Sequence, residues 1–148
     1  MAAEELEGAK LRRRALHHAM IELEERVMAA SSAPGWAERL DQSLRTLRDA
    51  LEQHIIEVER PGGIIAKALE AAPWLESQAE PLRGEHVELV EALDGVADLA
   101  EGIDVEDRES MRAVRQGVLD LDRRLSWHRQ RGADLVYDAY DYDIGGMG

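Results

Sequence analysis

The 148-residue sequence contains no cysteine and no phenylalanine. Without cysteine, disulfide bonds, thiolate catalysis, iron–sulfur clusters and cysteine-ligated zinc sites are all excluded. Aromatic residues make up 4% of the chain. The core must therefore be built from Leu, Val, Ile, Ala and Met, and this composition suits helices better than sheets.

Long apolar runs and an excess of positive charge are also missing. No stretch approaches the roughly 20 apolar residues of a membrane span, and the acidic first residues do not fit a signal peptide. The formal net charge is −13, and such a chain is repelled by nucleic-acid phosphates and anionic lipid. We expect a cytoplasmic protein that binds neither nucleic acid nor membrane. The cationic run Arg12–Arg14 is interpreted as a solvated helix face.

Proline and glycine divide the chain into four long predicted helices. The breaks are SSAPG at residues 31–35 and PGG at residues 61–63. The predicted helices cover residues 4–30, 36–60, 73–101 and 104–142, with Asp104 as the N-cap of the last and a short amphipathic piece at residues 64–72. This length fits one domain spanning residues 1–148.

Apolar residues recur at alternating spacings of four and three along the last three long helices. The seam of helix 2 is Leu40, Leu44, Leu47, Leu51, His54, Val58; that of helix 3 is Leu75, Ala79, Leu82, His86, Leu89, Leu93, Val96, Ala100; that of helix 4 is Met111, Val114, Val118, Leu121, Leu125, His128, Gly132, Leu135, Ala139. Such a seam is an apolar stripe along one face of a helix, and helices that pack through these stripes cross at small angles. They predict an all-α, antiparallel up-down-up-down four-helix bundle with a short extra helix between helices 2 and 3.

Each of these seams carries one histidine, at His54, His86 and His128, where an aliphatic residue would be expected. The seam of helix 1 is looser and includes Arg13. His17 lies on the flank of that seam, and the adjacent His18 points away from it. We expect His17 to face inward and His18 to be exposed.

Converging histidines indicate a metal site, because a metal ion satisfies imidazoles that burial would otherwise leave without partners. The candidate ligands are His17, His54, His86 and His128, with Glu57 as the best placed carboxylate. Glu59 and Glu85 lie at the seam edges and are interpreted as solvated charges. Histidine and carboxylate ligands without sulfur suit iron, manganese or zinc. The alternative is that the histidines are hydrogen-bonded packing residues.

One inward histidine per helix, together with the segments HIIEVERPGG, LRGEHVELVEAL and WHRQRGADLVYDAYDYDIGG, resembles the hemerythrin/HHE cation-binding superfamily. The likeness spans nearly the whole chain and is greatest to divergent bacterial members with a similar Tyr-rich tail. The resemblance implies an antiparallel bundle with a non-haem di-iron centre between histidines and two bridging carboxylates. Members of the family bind dioxygen, handle iron, or sense oxygen, nitric oxide or redox state.

The sequence departs from that family at three ligand positions. Val58, Val90 and Ala133 stand where the family has further ligands. The complete di-iron set is therefore absent, and we expect at most one tightly held metal, with iron favoured by the resemblance and zinc, or no metal, as alternatives.

Three functions follow from these residues. The first is a metal-binding protein, non-catalytic or weakly redox-active, whose partner besides the metal is a small diatomic ligand. The second is a metal-free helical interaction module, and the third is an enzyme such as a peroxidase, which the missing carboxylates disfavour. A homodimer or another protein partner is compatible with all three, and the tyrosines near the C-terminus are expected to cap the bundle or pack on a partner.

Overall fold

The structure, a computed structural model, describes the backbone of residues 3–146 and the side chains of residues 4, 6–136, 138 and 139. Within this part of the chain all regular structure is helical. The helices are α1 (Ala3–Met28), α2 (Trp36–Glu59), α3 (Ile64–Ala71), α4 (Glu76–Ala100) and α5 (Arg108–Gly146). The predicted all-α class, with four long helices and a short one between the second and third, is confirmed.

The helix ends follow local turn chemistry. Gly35 and Gly62 adopt positive φ angles of 77° and 73°, which glycine tolerates without strain, at the turns on either side of α2. Pro73 opens a 3₁₀ turn, Pro73–Leu75, and α4 begins one residue later. The predicted helix start at Pro73 is therefore three residues early.

The predicted N-cap of the last long helix is wrong. Asp107 caps α5, because its Oδ1 accepts the N–H of Glu109 at 3.1 Å and its Oδ2 accepts the hydroxyl of Ser110 at 2.7 Å. Asp104 instead accepts the N–H of Glu106 at 3.0 Å and closes a separate turn before the helix. The side chains of Tyr137, Tyr140 and Tyr142 lie outside the described residues, so their predicted packing stays a prediction.

The long helices form a closed ring in which each packs on two neighbours. Helix α1 contacts α2 and α5, and α4 contacts α2 and α5, while α3 packs on α5 and α2. Among residues 3–146, no helix has both the length and the apolar character needed to cross a membrane.

Two apolar clusters fill the bundle, and the three seam histidines lie between them. The larger cluster contains Leu51 of α2, and the smaller contains Val58 of the same helix, with His54 between them. The same order recurs on the other helices: Leu89, His86, Leu82 on α4, and Leu125, His128, Leu135 on α5. On α1, Arg13 lies between Ala9 of the smaller cluster and Leu16 of the larger one. The core is thus two apolar regions separated by a polar layer.

Truncating a side chain in the larger cluster tests this packing. Leu47 is fully buried, so Leu47→Ala leaves a cavity and should lower the free energy of unfolding by about 2–5 kcal/mol. Leu119 is 49% exposed, and Leu119→Ala, the same change on a helix surface, should shift stability by less than about 0.5 kcal/mol. Urea unfolding followed by circular dichroism measures both. Equal effects of the two substitutions would contradict the packing described here.

Candidate metal centre

Three helices supply the histidines of the polar layer. His54 comes from α2, His86 from α4 and His128 from α5, and their exposed fractions are 6%, 4% and 4%. The predicted inward orientation of all three is confirmed. The heptad seams place them there because each occupies a position that the helix turns toward the bundle axis.

The three imidazoles converge through their Nε2 atoms. The Nε2 atom of His128 lies 3.0 Å from that of His86 and 3.4 Å from that of His54. The ring centroids are 4.7–5.5 Å apart. The three side chains could hold a metal ion, since one ring nitrogen from each lies within 4.8 Å of the others.

Two carboxylates hold the outer nitrogens of this cluster. Nδ1 of His86 donates to Glu59 at 2.7 Å, and Nδ1 of His128 donates to Glu85 at 3.1 Å. Arg131 pairs with the other oxygen of Glu85. Because an ionised carboxylate can only accept a hydrogen bond, it fixes the proton of each ring on Nδ1. The Nε2 atoms of His86 and His128 therefore carry lone pairs directed at each other.

Such an arrangement of lone pairs is unfavourable unless a cation lies between them. His128 Nε2 could accept a hydrogen bond from His54, but the 3.0 Å contact with His86 then still joins two acceptors. The Nδ1 atom of His54 is buried and has no hydrogen-bond partner among the described side chains. A shared metal ion or a shared proton would relieve the repulsion.

Burial disfavours a proton on two of the three rings. Desolvation, with the neighbouring rings of His128 and His86 and the charge of Arg13, lowers the pKa of His54 to about 3. Desolvation and His86 lower the pKa of His128 to about 4, although Glu59 acts in the opposite direction. Both rings are therefore neutral at physiological pH, which is the form that binds metals.

The distances fit a small tetrahedral ion. Ligand nitrogens at 2.0–2.1 Å from a tetrahedral metal lie about 3.3 Å from each other, close to the 3.0 and 3.4 Å that separate His128 Nε2 from the Nε2 atoms of His86 and His54. All three rings also line a cavity of about 40 Å³, which has room for roughly three water molecules. Three protein ligands would leave a four-coordinate ion one further position for water or another ligand.

The structure does not bring the other two predicted ligands to the cluster. The inward orientation expected for His17 is wrong: its side chain is exposed and lies against Arg129 at the α1–α5 edge, because Arg13 occupies the place of α1 in the layer. His18 is exposed, as predicted. Glu57 pairs with Arg60 at 3.6 Å and faces Gly8 of α1.

Glu59 and Glu85 were interpreted as solvated charges. This is wrong for Glu85, whose side chain is 16% exposed, whereas Glu59 is exposed and still accepts a hydrogen bond from His86. Each is adjacent in sequence to a seam residue, Val58 and His86 respectively, so each sits at a seam edge facing the next helix. Their position at the seam edge was the feature of the sequence that could have indicated a contact with a neighbouring helix. The spacing of residues within one helix could not predict which histidine of the next helix each carboxylate would bind.

Two of the positions at which the resemblance implies further ligands have apolar surroundings in the structure. Val58 is buried in the smaller cluster, and Val90 packs against the larger one. Within the described residues, the group able to hold a metal consists of the three histidines without a bridging carboxylate.

Comparison of the chain with models of protein families, with curated proteins and with solved structures gives no match.

The depressed pKa values predict that acid destabilises the metal-free fold. Unfolded histidines take up protons near their ordinary pKa of 6.5, whereas folded His54 and His128 stay neutral to about pH 3 and 4. The unfolded state then binds more protons, so stability falls as pH drops from about 6.5 toward 4. The slope is at most about 1.4 kcal/mol per pH unit for each histidine.

Urea unfolding of chelator-treated protein at about pH 7 and about pH 5 measures this loss. A His54→Leu/His128→Leu double variant lacks both groups and should lose less stability over the same interval. An equal loss in both proteins would show that other groups cause the acid sensitivity.

Proposed function

We propose that this protein is a divergent hemerythrin-like metal-binding protein that holds one non-haem divalent metal ion between His54, His86 and His128. The observation that carries the proposal is the convergence of three buried Nε2 atoms, two of them on rings whose Nδ1 atoms donate to carboxylates. A carboxylate behind a ligating histidine is the usual outer arrangement of a protein metal site, because it fixes the tautomer and raises the basicity of the ring.

Electrostatics supports a metal ion over simple packing. Neutral imidazoles whose lone pairs face each other repel, and a metal ion converts that repulsion into three coordinate bonds. The negative charges of Glu59 and Glu85 lie on the far side of two of the rings and offset the charge of a divalent ion. A packing role would be met more simply by leucine, which the same seams use elsewhere.

The ligand set narrows the choice of metal. Three imidazoles and an open position match the coordination that catalytic zinc takes, and imidazole also suits iron, copper and nickel. The family resemblance favours iron, and it would give the site a role in sensing oxygen, nitric oxide or redox state, or in handling iron. A ligand entering the 40 Å³ cavity would reach the open position directly.

A metal-free interaction module is the second candidate function. The His86–Glu59 and His128–Glu85 hydrogen bonds favour it, since they link three helices without any ion. In that case the histidine layer would be a polar device that sets the register of the helices.

Metal content and one substitution separate the two functions. Protein purified without a His-tag should contain about one metal ion per chain by elemental analysis, and added metal should raise its melting temperature, because the ion binds only the folded state. His86→Leu should abolish metal binding. It removes one of three ligands, so it should also remove the metal-dependent rise in melting temperature.

His18→Ala is the matched control, because it removes an exposed histidine and should leave the metal content unchanged. His17→Ala should also retain the metal. A metal-free wild-type protein that His86→Leu stabilises would support the interaction module and overturn the metal proposal, since leucine fits a seam position better than an unliganded imidazole.

Replacing Glu85, the carboxylate that binds His128, should weaken metal binding at the same site without abolishing it. Glu85→Ala removes the acceptor of the His128 Nδ1 proton, and it should weaken metal binding by about 10–100-fold without removing a ligand. Glu88→Ala removes an exposed carboxylate from the same helix and should change affinity by less than about twofold. Competition with a coloured chelator measures both. Equal affinity in the Glu85 and Glu88 variants would contradict the outer role of Glu85.

A further inference from the structure

The fourth helix contributes an arginine to the histidine layer. Arg13 of α1 lies between Ala9 and Leu16, at the point where the other long helices carry their histidines. Its side chain is half-buried, and it lines the same cavity as His54, His86 and His128. Its Nε atom is buried and has no hydrogen-bond partner in the described part of the chain.

Arg13 also belongs to a basic group on the outer side of this layer. A second cavity of about 310 Å³, which we call the basic cavity, is lined by Lys10, Arg13, Arg14, His17 and Arg129. Lys10, Arg13 and Arg129 line the histidine cavity as well, so the two spaces adjoin. Among the residues that the structure describes, no carboxylate lines the basic cavity, whereas Glu59 lines the adjoining histidine cavity.

The cations of the basic cavity are largely without anionic partners. Lys10 approaches Glu7 at 3.7 Å, whereas Arg13, Arg14 and Arg129 have no ion pair with any described residue. Other arginines in this acidic chain do find carboxylates: Arg45 with Asp41, Arg83 with Glu76 and Glu80, Arg131 with Glu85. Arg108, Arg112 and Arg115 have no ion pair with a described residue either, so the feature that distinguishes the basic cavity is the buried Nε atom of Arg13 without an acceptor.

This local excess of positive charge is unfavourable without an anion. Lys10, Arg13 and Arg14 are three and four residues apart on one helix, where like charges destabilise it. A guanidinium N–H that is buried without an acceptor is a further loss. An exogenous anion would supply the missing acceptor and offset the repulsion.

We propose that the basic cavity binds a small oxyanion, a carboxylate or a phosphate, with Arg13 and Arg129 as its main contacts. The planar guanidinium fork matches both groups, because it donates two parallel hydrogen bonds to two oxygens. The cavity adjoins the histidine layer through Arg13, so an anion bound there lies at the entrance to the candidate metal centre.

The charges of the histidine layer indicate how a bound metal would affect anion binding, and this addition rests on the proposed function. Glu59 and Glu85 offset a divalent ion, and Arg13 then remains as an unbalanced cation beside it. A small carboxylate that reaches from Arg13 into the histidine cavity would balance that charge and occupy the open coordination position. Metal-bound protein should then bind acetate more tightly than metal-free protein.

A second basic group on α5 also lacks ion pairs with described residues but has no buried guanidinium nitrogen without a partner. Arg108, Arg112 and Arg115 line a cavity of about 430 Å³ near the start of that helix. The Nε atom of Arg115 donates to the backbone oxygen of Val27 at 3.3 Å, and none of the three has a buried nitrogen without a partner. This group therefore serves as an internal comparison for charge alone.

Calorimetric titration of metal-free protein with inorganic phosphate, and separately with acetate, at constant ionic strength tests the proposal. Wild-type protein should bind at least one of the two, and the tighter one identifies the anion class. Arg13→Gln and Arg129→Gln should each weaken that binding at least tenfold. Arg12→Gln removes the same charge from the same helix outside the cavity and should weaken it less than twofold.

Several outcomes overturn the proposal: no binding by wild-type protein, unchanged binding in both the Arg13 and Arg129 variants, or an equal loss in Arg12→Gln or Arg108→Gln/Arg112→Gln. If Arg13→Gln fails to fold by circular dichroism, Arg129→Gln alone decides. The titration uses metal-free protein, so the two proposals are tested separately. A protein that binds the anion but no metal would keep the anion site and reject the proposed function. A protein that binds metal but no anion would reject the anion site and keep the proposed function.

Discussion

The burial of three imidazoles in an aliphatic core is the constraint on which the rest of this structure depends. A buried ring nitrogen needs a partner, and two of the three rings find theirs in a carboxylate on a neighbouring helix. Glu59 of α2 binds His86 of α4, and Glu85 of α4 binds His128 of α5. These two hydrogen bonds tie three helices together at one height and turn the remaining nitrogens toward a common point.

The same layer determines how many metal ions the described residues could hold. Histidines from three helices converge, whereas Val58 and Val90 pack in or against the apolar clusters and offer no ligand atoms. On α1 the corresponding position is occupied by Arg13, a cation, which would repel a second metal ion. The three histidines could thus hold a single ion beside a small cavity, part of whose lining is positively charged.

The local charge of the basic cavity is positive, whereas the net charge of the whole chain is negative. The protein carries a formal net charge of −13, which repels anions at long range. The basic cavity around Arg13 and Arg129 reverses that sign over a short distance, where screening by salt is weak because the groups are partly buried. The sequence-based interpretation of Arg12–Arg14 as a solvated face is therefore incomplete: Arg14 is exposed, whereas Arg13 enters the core.

The sequence by itself determined the helices and the inward positions of His54, His86 and His128, because apolar periodicity is a local signal that one helix carries alone. The tertiary structure decided the features that require contact between two helices. It placed Arg13 rather than His17 in the layer, since helix 1 has a weak seam and its rotation is set by its neighbours. It also paired Glu59 and Glu85 with histidines across helix interfaces, because the height at which two helices meet is fixed by loops and packing and not by the spacing within either helix.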